Sequence, residues 1–242
     1  YHEDGNISFH IVDKLIPKLT TYSDGYRQEQ ESVMMMLSLF QPFPRSKANK
    51  AAYDFIVMND ILSGLDGNYV QRQKVINQTL SRFENVLIDK YDNWLSVRPL
   101  PLAVILTERW FESIDEDLMD QLLYDFEQLN AANSTAYNLL VNNFAARIKY
   151  MQDNAVAYDM ISHLNVGPSA PFANEKVVCS KMGSQLFLSM SEVNPAAVTD
   201  CIVDVLQDKD IQWLKENIVG EVRRNLVLTL EKLSFHSSTF HK

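Results

Sequence analysis

The apolar positions of this chain recur mostly at three- and four-residue spacing, which is the period of a helix with one buried face. "GYRQEQESVMMMLSLF" carries such a stripe through Val33, Met36, Leu37 and Phe40, and "PFP" ends it. "SKANKAAYDFIVMNDIL" predicts a second helix, with Ser46 as its N-cap. "SGLDGN" breaks the chain, and "YVQRQKVINQTLSRFENVLIDKYD" follows as one long helix or two pieces. Strict alternation has one good candidate, "NWLSV", where Trp94, Ser96 and Arg98 alternate with Leu95 and Val97. Arg98-Pro99-Leu100-Pro101 comes next, and Pro101 suits the first position of a helix running to Phe111.

Helix, helix, helix, short extended wing, helix is the order of a winged-helix module. The expected fold is therefore mainly α: a winged-helix-like domain with a small β wing over residues 1–113, then helical hairpins over residues 114–242. In the second part, "DEDLMDQLLYDFEQL" and "STAYNLLVNNFAARIKYMQDNAVAYDMISHL" read as amphipathic helical runs. "NVGPSAPFANEKVV" reads as a loop. "GSQLFLSMSEVNPAAVTDCIVDVL" reads as two helices joined tightly, with Asn194 capping the second and Pro195 in its first position. "KDIQWLKENIVGEVRRNLVLTLEKLSF" is a further striped segment. Short helices and tight turns suggest antiparallel hairpins stacked as an irregular solenoid, since no exact repeat occurs.

Composition narrows the chemistry. Lys and Arg number 22 against 31 Asp and Glu, a net charge of -9, which opposes broad nucleic-acid binding because neutralising phosphates needs a basic face. No apolar run approaches the roughly 20 residues of a membrane helix. No signal peptide is evident, so the expected compartment is the cytoplasm. The two cysteines, Cys179 and Cys201, lack metal-ligand spacing and read as buried free thiols. The chain has no initiator Met, and both ends read as cut from a longer protein.

Catalytic patterns do not occur: there is no GxxxxGK[ST] loop, GxGxxG, HExxH or GxSxG. The histidines are scattered at 2, 10, 163, 236 and 241, so no metal and no catalytic residue is expected. "ESIDEDLMD" fits the acidic first turn of a helix. Met34–Met36 read as core, as do Trp110 and Trp213. Arg72 and Lys74 read as solvated or ion-paired.

Three phrases carry a resemblance. "VRPLPLAVILTERWF" looks like the segment closing the winged-helix region of large bacterial STAND NTPases, the multidomain signal-transduction ATPases, above all those of the antiviral, phage-sensing type. "GSQLFLSMSEVNPAAVTDCIVDVL" resembles their following helical region, and "VRRNLVLTLEKLSFHSSTF" a further helix pair. Together they cover roughly a quarter of the chain, in the expected order. The resemblance implies a non-catalytic relay fragment, with no cofactor of its own. An upstream domain of the same chain would bind ATP or ADP with Mg, and downstream repeats would sense a protein target. Homo-oligomerisation of the parent would follow, without membrane.

The resemblance also marks Arg98. Related proteins carry a Met-His-Asp motif near the end of the winged helix, whose histidine meets bound ADP. Val97-Arg98-Pro99 stands in a comparable place and departs from that motif in both basic residue and acid. Arg98 either grips a diphosphate bidentately or pairs with a nearby carboxylate and orients the wing. Arg223 and Arg224 are candidates for a protein contact, although neighbours on a helix point to different faces. Two other readings stay open. One is a winged-helix DNA-binding regulator, whose candidate recognition helix "TLSRFENVLIDKYD" is net negative. The other is a helical-repeat adaptor that binds a peptide.

Overall fold

The computed structural model describes residues 27–236. The expectations placed on the first 26 residues and on the last six lie outside them. The chain is mainly helical with one small antiparallel sheet. The contacts of the described residues divide them into two compact units, residues 27–114 with 127–143, and residues 115–126 with 144–236.

The first unit begins with α1 (Arg27–Leu39), a two-residue strand β1 (Phe43–Pro44), α2 (Lys50–Met58) and a single-turn α3 (Asp60–Ser63). There follow α4 (Tyr69–Phe83), the wing strands β2 (Ile88–Tyr91) and β3 (Trp94–Val97), and α5 (Leu100–Glu112). The sheet order is β1-β3-β2, both pairings antiparallel. That succession is the winged-helix-like order the alternation pattern pointed to. α1 is the centre of the unit and packs on α5, α4 and β3. Val33, Met36, Leu37 and Phe40 from its stripe are buried, with Phe43, Ile56, Ile76, Leu95 and Leu106 around them. Thr107 ties α5 to α1 by donating to the Ser38 carbonyl at 3.2 Å.

Several local expectations change. α2 is capped by Asn49, not Ser46: Ala48 and Asn49 both donate to the Arg45 carbonyl, so a turn occupies the place where the helix was expected to begin. α4 stops at Phe83, and Asn85 in the left-handed region (φ 66°) turns the chain into β2. "IDKY" is therefore a strand rather than helix, because β3 offers it a full ladder from Ile88↔Val97 to Tyr91↔Trp94. In α5, Pro99 takes the N-cap and Pro101 the second helical position, whose N–H is likewise free of any intrahelical partner.

The second unit contains one end of α6 (Glu116–Ala132) and of α7 (Ser134–Ile148), then α8 (Ala155–Asn165), a 3-10 turn (Pro171–Ala173) and α9 (Glu175–Val178). α10 (Lys181–Met190), α11 (Pro195–Leu206), α12 (Ile211–Asn217) and α13 (Gly220–Ser234) complete it. The long run from Ser134 is two helices, because Asn154 caps a new one by accepting from the Ala157 amide. The last striped segment is also two, broken at Ile218 and Val219. Asn194 and Pro195 cap and start α11 as expected. Phe172 and Phe187 meet edge-to-face at 5.0 Å inside a core that includes Met190, Val198, Cys201 and Leu226. Cys179 is only half-buried, and Trp213 is half-buried with the Lys209 ammonium 4.8 Å above its ring, so neither is core. α12 is too short and too lightly packed to bury any residue.

Among the described residues, no helix is long and apolar enough to cross a membrane.

Candidate functional site

Arg98 follows the last residue of β3, and its amide extends the wing ladder by donating to the Leu87 carbonyl at 2.7 Å. Alternation puts Asp89, Ser96 and Arg98 on one face of the wing and Ile88, Leu95 and Val97 on the other, buried one. Arg98 is thus turned outward, where its Nε lies 3.6 Å from Asp89 Oδ2. Both side chains stay more than half exposed. The contact is long, open to water and not bidentate, so it directs the guanidinium without sequestering it.

Arg223 and Arg224 are both exposed on α13. The opposite side of that helix is fixed to α10. Asn225 donates to Ser184 Oγ at 3.2 Å and Gln185 Oε1 at 3.3 Å, and Lys181 pairs with Glu221 at 2.8 Å. Lys232 also pairs with Glu192. The two arginines make no ion pair among the described residues. They belong to a different unit from Arg98.

Arg72 is not a solvated cation. It is 6% exposed, and its guanidinium gathers the chain from Val57 to Gly67. Nε donates to the Gly67 carbonyl at 2.9 Å, and Nη1 to the Val57 and Met58 carbonyls and Ser63 Oγ at 3.1, 3.1 and 3.2 Å. Nη2 pairs with Asp60. One side chain of α4 therefore closes the C-terminus of α2 and the loop after α3, and the fork of a guanidinium is what makes so many bonds from one residue geometrically possible.

The candidate DNA-reading segment changes with α4. Residues 79–92 do not form one helix, so their net negative count says nothing about a recognition helix. Tyr69–Phe83 contains Arg72, Lys74 and Arg82 and no acid. Arg72 is buried and Arg82 donates to Gln30 Oε1 at 2.8 Å, so Lys74 is the exposed cation of α4. Gln71, Asn77, Gln78 and Ser81 are exposed with it.

Beside α4, a cavity of about 550 Å³ opens between the β1–α2 turn and the buried side of the wing. Its wall carries Arg45, Lys47 and Lys90, with Asp92 as the acid. Gln73 is held there by a 2.8 Å bond to the Tyr69 hydroxyl, which itself donates to Asp54 Oδ1 at 2.6 Å. Burial and the neighbouring Asp54 carboxylate push the Tyr69 phenol up to about 12, so it remains a donor at neutral pH. Burial likewise raises Tyr53, against a hydrogen bond from Gln73 that lowers it. No local pattern marks this cavity, because its walls lie up to about fifty residues apart along the chain.

In the second unit, His163 stands 3.1 Å from Glu116 Oε2 through Nδ1 and 3.2 Å from Asp120 Oδ1 through Nε2, bracing α8 on α6. Among the described residues, no group of three or more His, Cys, Asp or Glu is placed to hold a metal ion.

Comparison with protein families, with curated proteins and with solved structures finds no match to this chain.

Proposed function

We propose that this chain is a non-catalytic relay of a STAND-type ATPase in antiphage defence, coupling a sensor to a nucleotide-binding core. The three sequence phrases support the reading, and Arg98 is the observation that carries it. The side chain leaves the foot of the wing half in water, on the face away from the core, with a long contact to an exposed carboxylate. A guanidinium so displayed is free to exchange Asp89 for a diphosphate, as its position in "VRPLP" implies. In this reading the core supplies ATP or ADP with Mg, the wing reports which nucleotide is bound, and the helical unit passes on target binding. Arg223 and Arg224 are then available to a protein neighbour. The chain works in the cytoplasm, and the parent forms a homo-oligomer on activation.

Calorimetry on the full-length parent, native against Arg98→Ala, tests this. A tenfold loss of ADP affinity, about 1.4 kcal/mol, with ATP binding nearly unchanged is the expected result. A parent that binds no nucleotide overturns the relay. Equal affinity in both proteins leaves the family reading and removes Arg98 from it.

A second reading, a winged-helix DNA-binding regulator, is favoured by one observation. α4 has no acid and exposes Gln71, Lys74, Asn77 and Gln78, side chains that can donate to and accept from base edges. A gel shift with duplex DNA that weakens steeply with salt would support it, and no shift at low salt would end it.

A further inference from the structure

We infer that the cavity beside α4 is a binding site for a phosphate-bearing ligand, distinct from Arg98. The two lie on opposite faces of the wing: Lys90 stands across from buried Leu95, whereas Asp89 and Arg98 face outward. The inference does not depend on the relay reading.

Charge is the first argument. Acids outnumber basic residues in this chain by 31 to 22, yet the wall of the cavity has three cations and one carboxylate. Lys90 is already engaged by Glu84 at 3.1 Å. Arg45 and Lys47 make no ion pair among the described residues. Arg45 is half-buried, and a guanidinium in that setting is better satisfied by an anion than by water alone.

The second argument is that part of the lining is in place beforehand. The Arg45 amide donates to the Asn93 carbonyl at 2.9 Å, and its carbonyl accepts from Ala48 at 2.8 Å, so the backbone that carries the guanidinium is fixed. Gln73 is fixed through Tyr69 and Asp54. Groups ordered in the free protein lose little entropy on binding.

Size and lining give the ligand class. About 550 Å³ lies within the usual range of small-molecule sites. Leu80 and Tyr53 supply the apolar surface that reaches the space, Phe43 and Ile76 being fully buried, and Gln73, Asn77 and Asn93 supply amides. A terminal phosphate has three oxygens for Arg45, Lys47 and an amide together, where a carboxylate or the phosphodiester of a nucleic acid has two, and the amides suit an attached sugar or ring. The phosphate has two sources, a free nucleotide or the backbone of a nucleic acid.

The test uses the whole chain labelled with nitrogen-15, titrated separately with inorganic phosphate, with AMP and with a short DNA duplex. Native protein is compared with the Arg45→Gln/Lys47→Gln variant. AMP binding that moves the side-chain amides of Gln73, Asn77 and Asn93, and weakens at least tenfold in the variant, establishes a small phosphorylated ligand. Duplex binding with the same peaks and the same loss establishes a backbone phosphate as the source. No binding by any probe, or shifts that avoid those three amides, overturns the inference. The amide map is read on native protein, so the conclusion survives a variant that folds poorly.

Discussion

Arg98 Nε and Asp89 Oδ2 face each other at 3.6 Å across the outer face of the wing. This pair joins adjacent strands, yet both members are largely in water. Its energetic worth is therefore small and its geometry easily changed. A double-mutant cycle with Arg98→Ala and Asp89→Ala, followed by urea unfolding, is expected to give a coupling below about 0.5 kcal/mol. A coupling above about 2 kcal/mol would make Arg98 a strut of the wing and contradict its availability to a ligand.

Arg72 behaves in the opposite way. Its removal would leave the Val57 and Met58 carbonyls and Ser63 without their buried donor. Arg72→Ala is expected to cost about 3 kcal/mol or more, measured by urea denaturation. Arg72→Lys should recover little of that, because an ammonium cannot span the same fork. Asp60→Ala should cost under about 1 kcal/mol, since the Asp60 side chain is 83% exposed and its partner keeps its other bonds.

Gly183 offers a test in which the usual sign reverses. In an open helix, alanine is favoured over glycine by about 1 kcal/mol. Here a Cβ on residue 183 would lie 1.9 Å from the Val177 carbonyl oxygen and 2.7 Å from its carbon. That neighbour is backbone, tied by accepting from the Ser180 amide at 3.0 Å. Gly183→Ala should therefore destabilise by roughly 2 kcal/mol or more and lower the melting temperature of the second unit. A stabilised variant would show that α9 and α10 do not approach so closely.

Cys201 predicts a pH dependence. Burial, with Asp204 nearby, pushes its thiol up to about 12 from an ordinary 9.0, while Cys201 itself is 2% exposed. The thiol is neutral when native, so below pH 9 folded and unfolded chains bind the same proton. Between pH 9 and 12 the unfolded chain loses that proton while the native chain keeps it. Stability should then fall with rising pH, by at most about 1.4 kcal/mol per unit from this group. Unfolding of native protein and Cys201→Ala from pH 8 to 10.5 checks the sign, the variant having the shallower slope. At pH 8, Cys201 should also resist iodoacetamide until the chain unfolds.

Local signals were enough for most helices. Asn194 followed by Pro195 marked the start of α11, and the 3.6-residue stripe of α1 identified its buried face. Their physics lies within a few residues: a side chain reaching an amide three positions on, or neighbours one turn apart. The alternation in "NWLSV" likewise showed one wing strand, because period 2 is written in the strand itself.

Only the folded chain decided the rest. "IDKY" reads locally as the end of a helix and becomes a strand because β3 supplies its hydrogen bonds. Arg72 looks like any surface cation until carbonyls up to 15 residues away converge on it. Arg45, Gln73 and Lys90 carry no shared signal, and the cavity they line exists because the β1–α2 turn, α4 and the wing fold around a common core. Sequence by itself determined what each segment can form, since propensity, capping and periodicity are short-range. The tertiary structure decided which segments meet, and so which polar groups are buried together, because desolvation and hydrogen bonding depend on partners brought in from elsewhere in the chain.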